Sequence, residues 1–274
     1  ASDVYKRQPY TRIHDGVQFN KINKPWPKCW STYSHGNINV SQAIQHSCNY
    51  FFYEVGYRLS RNNGVYDSDT GLEKLAYYAD QFGLSDKSGV EISESAPKVS
   101  DFDAIRSAIG QGTNNYSTVG LARYVTTVAN SGSCYNLSLL SKATDADGNL
   151  IADYTPTLRN TVDLKQSTWD AIHQGMRKVV EDKDYYKDLT IQVAGKTGTA
   201  QENRKRANHA LFVCYAPYEQ PQIAIATRIA FGYASDYAAQ VTKDIVKYYF
   251  KLEDESSLIT GTAESTNVVQ SAGD

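Results

Sequence analysis

The stretch Thr190-Ile191-Gln192-Val193-Ala194-Gly195-Lys196-Thr197-Gly198-Thr199-Ala200 sets β-branched residues on both sides of one lysine and two glycines. That composition predicts a strand spanning 190–200. On a strand the side chains alternate, so Lys196 and Gly198 take one face while Thr197 and Thr199 take the other. Gly198 has no Cβ and lets another backbone approach closely. If the strand lies at a sheet edge, its free N–H and C=O groups can pair with an extended peptide. The Lys196 ammonium and a threonine hydroxyl are donors suited to a carboxylate, and the Thr199 N–H suits one half of an oxyanion hole. An ordinary edge strand also carries Lys and Thr, so the run needs a second signal.

A nucleotide-binding reading fails. The phosphate loop G-x-x-x-x-G-K-[ST] requires glycine at position 190, which is Thr190. The second signal is Ser47-Cys48-Asn49. It lies where one helical pattern, with Val40, Ala43, Ile44 and Ser47 on a face and Asn39 as N-cap, gives way to another with Phe51, Phe52, Val55 and Leu59. A serine hydroxyl there can relay a proton, and an asparagine amide can donate and accept toward a peptide group. Alone, S-x-N reads by default as a turn or cap. Cys48 has no recognisable histidine-based constellation and reads as a small buried residue.

Composition narrows the rest. The chain has 274 residues with 28 basic and 30 acidic side chains, a balance that points to no nucleic acid and no anionic membrane surface. Its longest apolar runs, Ile223 to Ala226 and Leu211 to Tyr215, fall far short of the roughly 20 residues of a membrane span. The four cysteines, Cys29, Cys48, Cys134 and Cys214, show no C-x-x-C pair, and with the scattered histidines they lack short metal-ligand spacing. Buried free thiols, no metal and no cofactor are expected.

Around the two motifs the pattern is α+β. Residues 9–39 read as loop-rich and 60–70 as a polar loop. Helices are predicted at 71–82, 117–130, 166–182 and 235–250, the last burying Ala238, Val241, Ile245 and Tyr249. Residues 83–116 read as irregular, and Asp145-Ala146-Asp147-Gly148 as a hairpin turn. Strands at 190–200, 208–217 and 221–231 suit an antiparallel meander, and 252–274 reads as a disordered Ser/Thr-rich acidic tail. At the other end, Asp3-Val4-Tyr5-Lys6-Arg7-Gln8 is the translation of a sequencing-adapter end (GATGTGTATAAGAGACAG), so residues 1–8 read as an artefact set aside from fold reasoning. The expected organisation is that artefact, a partial domain over 9–251, and the tail.

Together, S-x-N and the later K-T-G-T-A resemble the penicillin-binding protein transpeptidase domain and its serine β-lactamase relatives. The resemblance runs from about residue 9 to 250. It includes Ser47 to Gly56, Phe82-Gly83-Leu84, Gly110-Gln111-Gly112, Ala129-Asn130-Ser131-Gly132 and Asn208 to Val213 with Ala216-Pro217. Gly110-Gln111-Gly112 and Lys28-Cys29-Trp30…His35-Gly36 look like the class B branch. The resemblance implies a serine β-lactamase/transpeptidase-like fold, a helical cluster plus an antiparallel sheet. It further implies that Ser47 shuttles a proton to the leaving amine, Asn49 binds the substrate amide, and Lys196, Thr197, Gly198 and Thr199 hold the substrate carboxylate and strand. Peptidoglycan stem peptides ending in D-Ala-D-Ala, β-lactams and cell-wall membrane proteins would be the partners, on the extracytoplasmic face of the cell membrane.

The family's nucleophile is the serine of an S-x-x-K motif placed before S-x-N, with the lysine as its activating base. The single S-x-x-K match in this sequence is Ser95-Ala96-Pro97-Lys98, which follows Ser47 in a proline-containing irregular stretch and reads as a decoy. With the adapter-like start, the expectation is a truncated domain whose nucleophile helix and first strands are encoded upstream of residue 9. D,D-transpeptidation leads. A D,D-carboxypeptidase, a serine β-lactamase (which would often show S-D-N) and a non-catalytic β-lactam sensor are the alternatives.

Overall fold

A computed structural model describes residues 9–201 and 205–258. The expected residues 1–8 artefact and most of the expected tail, 259–274, lie outside the described residues. In chain order the elements are β1 (Ile13–His14), β2 (Asn37–Ile38), α1 (Val40–Gln45), α2 (Asn49–Leu59), β3 (Arg61–Asn62), β4 (Val65–Tyr66), α3 (Ser68–Gln81), α4 (Ala104–Ser107) and α5 (Thr118–Ala129). There follow β5 (Ser133–Asn136), β6 (Lys142–Thr144), β7 (Leu150–Asp153), β8 (Thr157–Thr161), α6 (Gln166–Glu181), β9 (Ala194–Ala200), β10 (His209–Ala216), β11 (Ile223–Ile229), α7 (Ser235–Tyr249) and α8 (Glu255–Leu258).

The three-stranded sheet has the order β11-β10-β9 with both pairings antiparallel, the meander that the sequence predicts. The first strand begins at Ala194 rather than 190. β10 is apolar along nearly its whole length because both its faces are covered. Ala210, Phe212 and Cys214 pack with Ala238, Ala239 and Val246 of α7. Tyr215 packs on the other face with Val125 and Val128 of α5 and Met176 of α6. A separate core gathers Phe19, Cys29 and Ile38 of the loop-rich N-terminal segment around Cys48, Phe51 and Tyr53.

Two expectations need correction. Only Ala238 of the four α7 residues named above is buried. Val241 is 46% exposed, Ile245 38% and Tyr249 48%. The helix is turned so that Ala238, Ala239, Thr242 and Val246 meet the sheet, because small residues let the helix sit close over β10 and the larger apolar side chains are left on a flank. Residues 60–70 and the start of the tail also hold structure that the local pattern did not reveal, the β3–β4 hairpin, the first turn of α3 and the short α8.

The entry to α1 follows the predicted chemistry. The Asn39 side chain accepts from the Gln42 N–H at 3.0 Å and the Gln42 side chain accepts from the Asn39 N–H at 3.1 Å, a reciprocal capping box. The exit is less ordinary. The Cys48 N–H donates to the Ala43 carbonyl at 3.0 Å and the Ser47 N–H to the Ile44 carbonyl at 3.2 Å, the two bonds of a Schellman termination. The residue in the left-handed position of such a motif is usually glycine; here it is Ser47, with φ of 50°.

Candidate active site

Strand β9 and the α1–α2 junction, far apart in sequence, meet across one cleft. The Lys196 amine donates to the Ser47 hydroxyl, a contact between residues 149 positions apart. It also donates to the Thr197 carbonyl at 3.0 Å. The left-handed turn at Ser47 places its hydroxyl here, so the strained backbone and the contact are one feature. Asn49 follows as the first residue of α2, half-buried.

Register divides the predicted K-T-G-T set. Lys196 and Gly198 lie opposite Val213 and Leu211 and share their face, turned to the helical cluster, whereas Thr197 and Thr199 lie opposite Phe212 and Ala210, on the α7 face. The structure therefore brings together Ser47 and Lys196 and separates the side chains of Thr197 and Thr199 from them. The two glycines also have different duties. A Cβ on Gly195 would lie 2.4 Å from Phe212 Cζ and 2.9 Å from Cys214 Cβ, whereas one on Gly198 would meet Leu211 Cβ at 3.3 Å. Gly195 is demanded by packing, while Gly198 leaves the cleft face bare.

β9 pairs only with β10, so among the described residues its outer edge is free to receive an extended chain. Next to it runs an apolar cavity of about 430 Å³ whose walls include Ile44, Phe51, Phe82, Tyr124 and Met176, with Lys196 and Val213 at the sheet side. Burial among these groups, with a smaller contribution from the Lys183 charge, pulls the Lys196 amine down from 10.5 to about 8. At neutral pH it remains an ammonium, poorly hydrated and so a strong partner for an anion. The decoy is far less equipped. Ser95 and Lys98 lie in a non-helical segment, and the Lys98 amine pairs with Asp101 at 3.1 Å.

Directly beside Ser47 the fold assembles a group that the sequence pattern does not announce. Asp15, Cys29, His35 and Cys48 bring one carboxylate oxygen, one ring nitrogen and two sulfurs within 4.8 Å of one another. His35 Nδ1 is 2.7 Å from Asp15 Oδ2 and 3.9 Å from Cys29 Sγ. Burial alone would raise the Asp15 carboxyl, but N–H groups of His35 and Val17 hold it below its ordinary range. Cys48 holds the Cys29 thiol down by donating to it, and its own thiol is pushed up by that shared proton and by burial. Two sulfurs, an imidazole and a carboxylate, three of the four residues buried, form a donor set that zinc accepts in four-coordinate sites, where ligand atoms lie about 3.3–3.8 Å apart. The expectation of no metal site thus meets four residues that could hold one. Sequence offered little warning, because the ligands come from two loops and a helix cap at wide intervals.

A model of the penicillin binding protein transpeptidase domain matches residues 6–247. The chain is 28% identical over 258 residues to the peptidoglycan D,D-transpeptidase MrdA of Haemophilus influenzae, an alignment covering 80% of this chain and 37% of that protein. It is 26% identical over 255 residues to penicillin-binding protein 2B of Streptococcus pneumoniae, covering 81% of this chain and 37% of that one. The chain therefore spans well under half the length of these curated relatives. The solved structure of S. pneumoniae penicillin-binding protein 2B superposes with a TM-score of 0.78 at 23% identity, covering 89% of this chain and 44% of that one. Pseudomonas aeruginosa PBP2 in complex with WCK 5153 gives 0.76 at 24%, covering 93% and 56%. At these identities the superpositions speak for the fold, an α+β arrangement of helical cluster and antiparallel sheet. By the family match over nearly all of its described length, the chain belongs to the penicillin-binding protein transpeptidase domain family.

Proposed function

We propose that this chain supplies two walls of a serine acyl-transfer site that performs D,D-transpeptidation in peptidoglycan synthesis. The observation that carries this reading is the Lys196–Ser47 contact, which joins the K-T-G strand to the S-x-N turn beside a free strand edge. In this reading a D-Ala-D-Ala stem peptide lies along β9. Its carboxylate meets Lys196, and the backbone N–H of Thr199 faces the developing oxyanion. The amine of Lys196 is hydrogen-bonded to the Ser47 hydroxyl, so a proton has a route through Ser47 to the leaving amine. Asn49, at the start of α2, takes the substrate amide. Thr197 serves the strand more than the ligand, since it shares the face of Phe212.

The acylated hydroxyl belongs, in this proposal, to a Ser-x-x-Lys helix ahead of Ser47. The apolar cavity walled by Phe51, Tyr124 and Met176 and ending at Lys196 has the character of a seat for such a helix. Likewise the outer edge of β11 and the adjoining α7 flank of Tyr237, Val241, Ile245 and Tyr248 suit further strands and a helix of the same domain. The site would work on the extracytoplasmic face of the membrane. The named relatives and the solved complex of Helicobacter pylori PBP2 with MreC support partners among cell-wall synthesis proteins. β-Lactams would acylate the same serine.

The test compares this chain with the protein extended by its genomic upstream sequence. A fluorescent penicillin should label the extended protein and leave the 274 residues unlabelled. Replacing Lys196 with alanine in the extended protein should slow labelling on the order of 10²–10³-fold, the range for losing a preorganised electrostatic partner. A labelled band from the short chain that disappears in Ser95→Ala would overturn the assignment of the nucleophile. An extended protein that hydrolyses the β-lactam rapidly, or releases D-Ala without forming cross-links, would move the reading to a β-lactamase or a carboxypeptidase. Labelling without any turnover of stem peptides would identify a sensor.

A further inference from the structure

We propose that a polar cavity between α6, the turn after α5 and the β10–β11 turn binds an alkyl primary ammonium, the group that a lysine side chain carries. The site does not depend on the acyl-transfer reading, and neither Ser47 nor Lys196 is among its walls.

The cavity measures about 500 Å³, within the range of small-molecule sites. On α6 the spacing of Gln166, Asp170, His173 and Gln174 sets four polar side chains on one face of the helix. The Gln166 amide donates to one Asp170 oxygen at 2.8 Å and leaves the other for a ligand. Ser131 stands opposite, where α5 ends in a second left-handed serine, φ 58°, with the Gly132 N–H donating to the Thr127 carbonyl at 2.8 Å. Tyr218 and Glu219 close the cavity from the β10–β11 turn. Its walls thus hold two carboxylates, and among the described residues neither lysine nor arginine lines them. Arg177, whose charge reaches Tyr218, is engaged elsewhere, with the Val193 carbonyl at 3.1 Å and Glu181 at 3.5 Å. An anion is therefore excluded, and an aromatic wall beside carboxylates suits an organic cation.

Acidic side chains on a surface do not by themselves make a site; the buried floor does. Tyr215 is 0% exposed, and its hydroxyl has no hydrogen-bond partner among the described residues. Such an orphaned group is costly and calls for a partner. Its ring packs edge-on against His173 at 5.7 Å and stacks with Tyr218 at 6.5 Å, both walls of the cavity. Burial first, then the charges of Tyr218 and Glu219, push its phenol up. The hydroxyl therefore stays neutral, able to accept, and lies toward the side on which those two residues stand. His173 adds a further acceptor. A carbonyl can only accept, so His173 Nε2 donates to the Val128 carbonyl at 2.8 Å, which leaves Nδ1 with its lone pair. An ammonium brings three N–H donors and one positive charge. Two carboxylates, an imidazole nitrogen and a phenol oxygen are acceptors that match it.

The experiment titrates the whole chain, isotopically labelled, with Nα-acetyl-lysine amide and follows amide chemical shifts. The control ligand is the same compound acetylated on its ε-amine, which keeps the shape and loses the charge. Binding with a dissociation constant on the order of 1 mM is expected, with shifts centred on Ser131, His173 and Tyr218. Asp170→Asn combined with Glu219→Gln, both at exposed positions, should weaken it about tenfold, two exposed ion pairs being lost. Tyr215→Phe should weaken it by roughly two- to tenfold while leaving the free chain at least as stable, because the hydroxyl removed has no partner. Free lysine forms a parallel arm. Tighter binding of the free amino acid identifies a small-molecule ligand, and tighter binding of the capped form identifies a lysine within a peptide; either supports the site. No binding at roughly ten times the expected constant, equal binding of the acetylated control, or affinity unchanged in the double variant would each overturn the proposal. So would shifts centred on the Lys196 cleft, displacement by magnesium at equal ionic strength, or a free Tyr215→Phe chain that is less stable than the parent.

Discussion

Ser47 occupies a backbone position at which serine is a poor fit, and the effect of substitutions there can be worked from the structure. It is the left-handed residue of a Schellman termination, φ 50°, with both diagnostic hydrogen bonds present. A side chain in that conformation costs about 1–2 kcal/mol relative to glycine, while glycine loses about 0.4–1 kcal/mol more on folding because its unfolded chain is freer. Ser47→Ala and Ser47→Gly both delete the hydroxyl that accepts from Lys196. Their difference therefore isolates the backbone, and Ser47→Gly should be more stable than Ser47→Ala by about 1 kcal/mol. In a helix interior the order is reversed, with alanine ahead by ~0.5–1 kcal/mol. For a domain of this size the expected gap is a melting-temperature difference of about 2–4 °C, or a matching shift in urea midpoint at equal m-value. If the alanine variant equals or exceeds the glycine variant, Ser47 is not held in the left-handed position and its aim at Lys196 has another origin. In the extended protein both variants should lose acylation together, whatever their order of stability.

Three further expectations follow from the same geometry. Lys196 has a folded value of about 8 against 10.5 ordinarily, so between those values the unfolded chain binds more protons and stability rises with pH, lost again as pH falls toward 8; subtracting the pH profile of Lys196→Met, which lacks the amine, should reveal that slope, and a flat difference would refute the buried-amine account. Gly195→Ala forces a methyl against Phe212 and Cys214 and should cost about 1–3 kcal/mol by overpacking, whereas Gly198→Ala should leave stability nearly unchanged and slow β-lactam acylation of the extended protein, which separate denaturation and labelling assays would distinguish. Zinc should bind the reduced chain with release of thiol protons and weaken markedly in His35→Ala or Cys29→Ser, read by native mass spectrometry and by proton release in weakly buffered solution; equal binding in wild type and both variants would show that the Asp15 group is not the site.

Much of the fold was legible in local patterns. The Asn39 cap, a helix over 166–182 and the three strands of the meander were expected and are present. Where local pattern misled, the cause was tertiary. Val241, Ile245 and Tyr249 fit a helical period, yet period alone does not say which part of a broad apolar stripe meets the sheet. The close approach allowed by Ala238, Ala239 and Thr242 settles that. The 190–193 segment is rich in strand-forming residues, but the first residue with a β10 partner is Ala194, because pairing rather than propensity defines a strand.

The two halves of the candidate site show the same division. Sequence by itself determined which chemistry was available, an ammonium beside glycine on a strand and a hydroxyl beside an amide at a helix junction, since these follow from residue identity and local period. It could not show that Lys196 meets Ser47, that Thr197 turns toward α7, or that Ser47 is held left-handed, because each depends on packing between segments far apart in the chain. The group of Asp15, Cys29, His35 and Cys48 is the clearest case. Nothing in its spacing marks it, for the loop that carries Cys29 and His35 reaches Cys48 through tertiary contacts such as those of Trp30 and Tyr53 and the stacking of His35 on His46. Local sequence encodes reactive groups, and only tertiary packing decides which of them share a dielectric environment and a proton.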